Sequence, residues 1–129
     1  RQAIGATRPA VLLSAALLPW AERAYLSAFQ DWRGWLSEGL LEKALVMNYS
    51  RDIKLASQIS RSVSGIRRDP SDTYKKLIII GLGAWMFSEE PAGLWRQWRD
   101  ARQAGADGVA LFSYDQMVGN DSLWGFPTP

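Results

Sequence analysis

Gln30 to Ser50 reads Gln-Asp-Trp-Arg-Gly-Trp-Leu-Ser-Glu-Gly-Leu-Leu-Glu-Lys-Ala-Leu-Val-Met-Asn-Tyr-Ser, and its reading decides the fold. Trp32, Trp35 and Leu36 fall at helical spacing and share one helix face. Gly39 is where such a helix stops, because glycine accepts the left-handed backbone of a C-terminal cap. Ala44 to Met47 is an apolar run that reads as a buried strand. Asn48 and Tyr49 then stand where its carboxyl end opens. An apolar strand ending in a polar tip is how α/β scaffolds build binding sites.

Outward from this stretch the same grammar repeats. Ala10 to Leu18 is apolar apart from Ser14 and is stopped by Pro19, which predicts a buried strand over about 10–18. The second strand spans about 44–49. Ile53, Ala56, Ile59, Val63 and Ile66 recur at three- and four-residue steps, predicting a helix from Asp52 to Ile66 with one apolar stripe. Asp69-Pro70-Ser71-Asp72 is turn chemistry. A third strand follows over about 77–82, ending in Gly81-Leu82-Gly83. Ser88 is a good N-cap for the next helix, with Glu89 and Glu90 near its positive end and Pro91 in its first turn. Leu94, Trp98 and Ala101 form that helix's buried face and Gly105 caps it. A fourth strand covers about 109–114. Strands alternating with helices predict an α/β fold with a parallel sheet and right-handed crossovers. The four polar or glycine-rich tips then gather on one rim.

Composition narrows the chemistry. The 129 residues suffice for one domain, and 47% hydrophobic with 22% charged is globular rather than disordered composition. Net charge is +2 and the basic residues are scattered, so no stripe forms to follow a phosphate backbone and nucleic acid is not expected as a partner. With no cysteine and no histidine, thiol nucleophiles, Ser-His-Asp triads, the usual zinc sites and iron–sulfur clusters are excluded. No metal or cofactor is expected. No apolar run reaches the length of a membrane span.

The residues also carry a resemblance. Gln30-Asp31-Trp32-Arg33-Gly34-Trp35-Leu36, Glu38-Gly39-Leu40-Leu41, Met47-Asn48-Tyr49, Gly81-Leu82-Gly83-Ala84 and Gly105 to Tyr114, in this order and spacing, resemble the C-terminal half of the family-10-like glycosyl hydrolases of bacteria. The resemblance implies the fifth to eighth strands of a (β/α)8 TIM barrel, so that residues 1–129 form a single partial domain of a longer chain. It further implies a carbohydrate-active hydrolase outside the cytoplasm. The family's Asp-Tyr-x-Arg-Tyr-Pro-like motif, which carries a catalytic aspartate, has no counterpart here. Departures also occur at Val46, usually proline, at Glu42-Lys43, and at Trp85, often tyrosine. Half a barrel leaves two open strand edges and an uncovered inner face, so the missing half or self-association is expected.

The candidate site residues follow from position. Asn48, Tyr49, Trp85 and Tyr114 sit at strand tips and are the candidates for sugar contact, since amide and phenol groups hydrogen-bond hydroxyls and indoles stack on sugar C–H faces. Asn48 and Tyr49 serve equally well to tie the mouth together, and Trp85 serves equally well as buried bulk. Trp20 and Trp124 also follow strand ends. Trp35, Trp95 and Trp98, on helical stripes, read as core. A glycosidase needs two carboxyl groups across the scissile bond. The candidates are Asp31 and Asp115, although both suit a helix N-terminus or turn better, and no convincing pair emerges. Gly81 and Gly83 lack the third glycine of a phosphate fingerprint and read as a demand of rim backbone geometry. A non-catalytic carbohydrate-binding or scaffold module is the main rival function. A flavodoxin-like α/β regulator is the more distant one.

Overall fold

The computed structural model describes residues 1–65 and 76–125. In chain order the elements are α1 (Gln2–Thr7), β1 (Ser14–Leu17), α2 (Ala21–Ala28), α3 (Trp32–Ser37), β2 (Lys43–Asn48), α4 (Ile53–Ser64), β3 (Leu77–Gly83), α5 (Pro91–Gln103), β4 (Gly108–Phe112) and α6 (Tyr114–Val118). Short 3-10 turns follow β3 at Ala84–Phe87 and α6 at Asp121–Trp124. The expected Ile66 helix end and the Asp69–Asp72 turn lie outside the described residues.

The four strands form one parallel sheet in the order β1-β2-β3-β4. Chain order and spatial order coincide, so the sheet has no point at which its winding reverses. Ala44, Val46 and Asn48 on β2 and Ile78, Ile80 and Leu82 on β3 are buried on the face against α3, α4 and α5. Leu94 and Ala101 of α5 and Ile59 and Val63 of α4 complete this core. Each fully buried Ile80, Leu82 or Leu94 contributes about 1.5–3 kcal/mol by leaving water. The alternate residues, Leu45, Met47, Leu77, Ile79, Ala110 and Phe112, occupy the opposite face and are only half-buried. Apart from Ser14 and Lys43 at one end, that face is apolar, and it has no helix layer on it among the described residues.

Helix ends obey local chemistry. The Asp52 carboxylate accepts from the N–H groups of Lys54 and Leu55 at 2.8 and 3.1 Å, capping α4. Gly39 (φ 68°) follows α3, where its N–H reaches the Leu36 carbonyl and that of Leu40 reaches Trp35. Gly105 (φ 91°) ends α5 in the same way, with Gly105 N–H to the Arg102 carbonyl and Ala106 N–H to Ala101. Both are Schellman motifs, which need a positive φ that glycine tolerates without a Cβ clash.

Three expectations are corrected. The first strand is Ser14–Leu17 rather than 10–18, and only Leu17 in it is buried. Val11 and Leu12 are exposed, and Leu13 is held by its backbone: its N–H donates to Glu42 Oε2 at 2.7 Å and its carbonyl accepts from Glu42 and Lys43. An edge strand with one neighbour cannot bury both faces of a long apolar run. Ser88 does not cap α5; it closes the preceding 3-10 turn, Glu90 holds the cap position without a side-chain bond, and Pro91 starts the helix. The fourth strand ends at Phe112 rather than 114, because Ser113 is the N-cap of α6 and Tyr114 already begins that helix.

Candidate functional site

The carboxyl ends of the strands carry the candidate residues, and strand alternation sorts them. Asn48 and Tyr49 are neighbours in sequence, so their side chains leave the chain on opposite sides. Asn48 points into the helix layer and is 1% exposed. Its amide donates to the Ala56 carbonyl at 2.8 Å and to Ser60 Oγ at 3.1 Å, clamping the end of β2 to α4. The polar tip expected to meet substrate is, at Asn48, an internal strut.

Tyr49 lies on the other side, where three rings meet. Its ring stands edge-on to Trp85, with centroids 4.8 Å apart and planes at 72°. It also packs against Phe112, at 5.9 Å and 66°. Such edge-to-face pairs contribute about 0.5–1.5 kcal/mol beyond the area they bury. Burial raises the Tyr49 phenol above its ordinary pKa by penalising the phenolate, so it stays a neutral hydrogen-bonding hydroxyl at physiological pH. Trp85 keeps 41% of its surface exposed, so part of its indole stays open to solvent beside Tyr49.

The glycines of β3 make room for these rings. A Cβ on Gly83 would lie 2.9 Å from Trp85 Cη2 and 3.1 Å from Cζ3. A Cβ on Gly81 would lie 3.3 Å from Phe112 Cε2 and 3.4 Å from the Val46 carbonyl oxygen. Gly81 and Gly83, unlike Gly39 and Gly105, have no positive φ. Their role is space for aromatic rings, which corrects the backbone explanation drawn from sequence. Phe112 was not singled out there. The signal was present in β4, where Gly108, Ala110 and Phe112 alternate on the face opposite Val109 and Leu111, opposite the glycines of β3.

The remaining candidates do not join the cluster. Tyr114 opens α6 with 71% exposure. Asp115 is the next residue, in the first turn of α6, and is exposed. Asp31 caps α3, accepting from the Gly34 N–H at 3.1 Å. It also lines an open cleft of about 320 Å³ between α2 and α3, with Tyr25, Leu26, Trp32 and the 3.4 Å Glu22–Arg33 ion pair. Trp20 precedes α2 and is 40% exposed, and Trp124 donates its indole N–H to the Met117 carbonyl at 2.8 Å. Trp32 is in the core and Trp35 packs against it.

The loops behind the rim are braced by two glutamines. Gln30 accepts from the Leu18 N–H at 3.0 Å, closing the tip of β1. Gln97 of α5, 2% exposed, donates to the Ser50 carbonyl at 2.6 Å and holds the segment after Tyr49. Among the described residues no three Asp or Glu side chains gather as a metal site, and no helix is long and apolar enough to cross a membrane. No family model matches the chain, and no curated protein or solved structure is significantly similar to it.

Proposed function

We propose that the chain contributes the substrate-binding side of a carbohydrate-active glycoside hydrolase, as four βα units of a (β/α)8 barrel. The observation that carries the reading is the Tyr49–Trp85–Phe112 cluster at the carboxyl ends of parallel strands, with a half-open indole beside a neutral phenol. A flat ring takes up the C–H face of a pyranose while a hydroxyl next to it bonds the sugar's edge. A sheet wound in chain order with helices on one face and an apolar, uncovered opposite face supports the barrel. It also weighs against a flavodoxin-like domain, whose sheet reverses its winding and is covered on both faces. The other half of the barrel, or a second copy of the chain, is the partner such a face requires. Placement outside the cytoplasm comes with the same family resemblance.

Alone, the chain is catalytically inert in this reading. Asp31 is engaged as a helix cap and Asp115 is an exposed first-turn residue of α6. The use of Asp31 as the α3 cap favours the second reading, a carbohydrate-binding module without turnover. Calorimetric titration with cellohexaose and with N-acetylglucosamine hexamer tests the proposal. Binding that weakens about tenfold or more in Trp85→Ala, equivalent to roughly 1.4 kcal/mol, is expected. No binding by the native chain, or equal binding by Trp85→Ala, refutes it. Glycosidic turnover by the isolated chain would refute its inertness.

A further inference from the structure

We infer that Gly83 is a positioning residue for the aromatic platform: its missing side chain is the seat on which the Trp85 indole rests against Tyr49. The inference uses the carbohydrate reading only for its binding consequence. Gly83 ends β3 with φ −84° and ψ 92°, a conformation open to any L-residue. Its backbone therefore does not require glycine. What requires it is the ring above: a Cβ would meet Trp85 Cη2 at 2.9 Å and Cζ3 at 3.1 Å, with Met86 Sδ at 3.2 Å. The thioether is flexible and can give way. The indole cannot do so without leaving its 4.8 Å edge contact with Tyr49. Tyr49 is held in turn by Phe112, whose own ring lies over Gly81. Two residues without side chains on one strand thus set the height of two of the three rings. The side-chain size at position 83 sets how deep a sugar can settle on Trp85.

A mutant cycle tests this. Gly83→Ala is made in the native chain and in Trp85→Ala, and urea unfolding is followed by far-UV circular dichroism. Overpacking against the indole is expected to raise the unfolding equilibrium constant about tenfold or more in the native background. In Trp85→Ala the same substitution is expected to be neutral or stabilising, because alanine restricts the unfolded chain and meets no ring. A Gly83→Ala chain that fails to fold while the double variant folds gives the same support. An equal cost in both backgrounds, or failure of both to fold, overturns the inference, as does a cost-free Gly83→Ala that keeps the Tyr49–Trp85 ring contact by nuclear Overhauser effect. Cellohexaose binding then separates the two claims. If the native chain binds and Gly83→Ala loses as much affinity as Trp85→Ala, position 83 sets the subsite. If the native chain binds no sugar while the cycle behaves as expected, the seat stands and the carbohydrate reading falls.

Discussion

Replacing Asn48 by alanine separates structure from substrate contact at the strand tip. The substitution removes an amide that donates at 2.8 Å to the Ala56 carbonyl and at 3.1 Å to Ser60 Oγ, in a site 1% exposed. Each bond is worth about 0.5–1.5 kcal/mol net. The void left by the amide adds about 1 kcal/mol. Against this, Asn48 Oδ1 is buried without a hydrogen-bond partner, and deleting it relieves part of that cost. The expected net loss is about 2 kcal/mol, or roughly 6–12 °C in Tm for a domain of this size. Urea denaturation should show a lower midpoint with an unchanged slope, since the surface exposed on unfolding hardly changes. Ser60→Ala should couple to it by about 0.5–1 kcal/mol in a double-mutant cycle, because the two side chains share one bond. Oligosaccharide affinity, measured where the variant is folded, should stay within about twofold of the native value, a difference of roughly 0.4 kcal/mol. An unchanged midpoint together with lost affinity would refute the strut and return Asn48 to the substrate.

Two further outcomes follow from the same geometry. Burial raises the Tyr49 pKa in the folded chain above its unfolded value near 10, so its contribution to stability is complete below about pH 10 and is lost as pH rises through the folded pKa. Tyr49→Phe should therefore flatten the fall of stability above about pH 10. A tyrosinate absorbance titration should show a phenol of the native chain ionising above its ordinary pKa and missing from Tyr49→Phe; identical alkaline profiles for variant and native chain would contradict this. Gly105→Ala, at φ 91°, forces a side chain into the left-handed backbone that closes the α5 Schellman motif and should cost about 1 kcal/mol or more in urea unfolding. A neutral result would mean that the α5 cap adopts another geometry in solution.

The order of strands and helices, their parallel α/β character and the stops at Gly39 and Gly105 were legible in the sequence, because they depend on interactions within a few residues. So was the start of α4 at Asp52, although its role as the cap, through bonds that span two and three residues, was not read there. A period of two along a strand separates its faces, but does not say which face the helices cover. That is why Asn48 and Tyr49, adjacent at one tip, divided into a buried strut and a half-buried ring on the opposite face only once α4 was in place. The glycines of β3 were visible as glycines, yet their reason lies in rings contributed by Trp85 and Phe112, the second of them from a different strand. The shortened β1 likewise depended on its having a single neighbour. Local chemistry determined the order of the elements and the helix stops at Gly39 and Gly105; only the tertiary structure, by deciding which surfaces meet, determined how far β1 extends and which side chains remain to face a ligand.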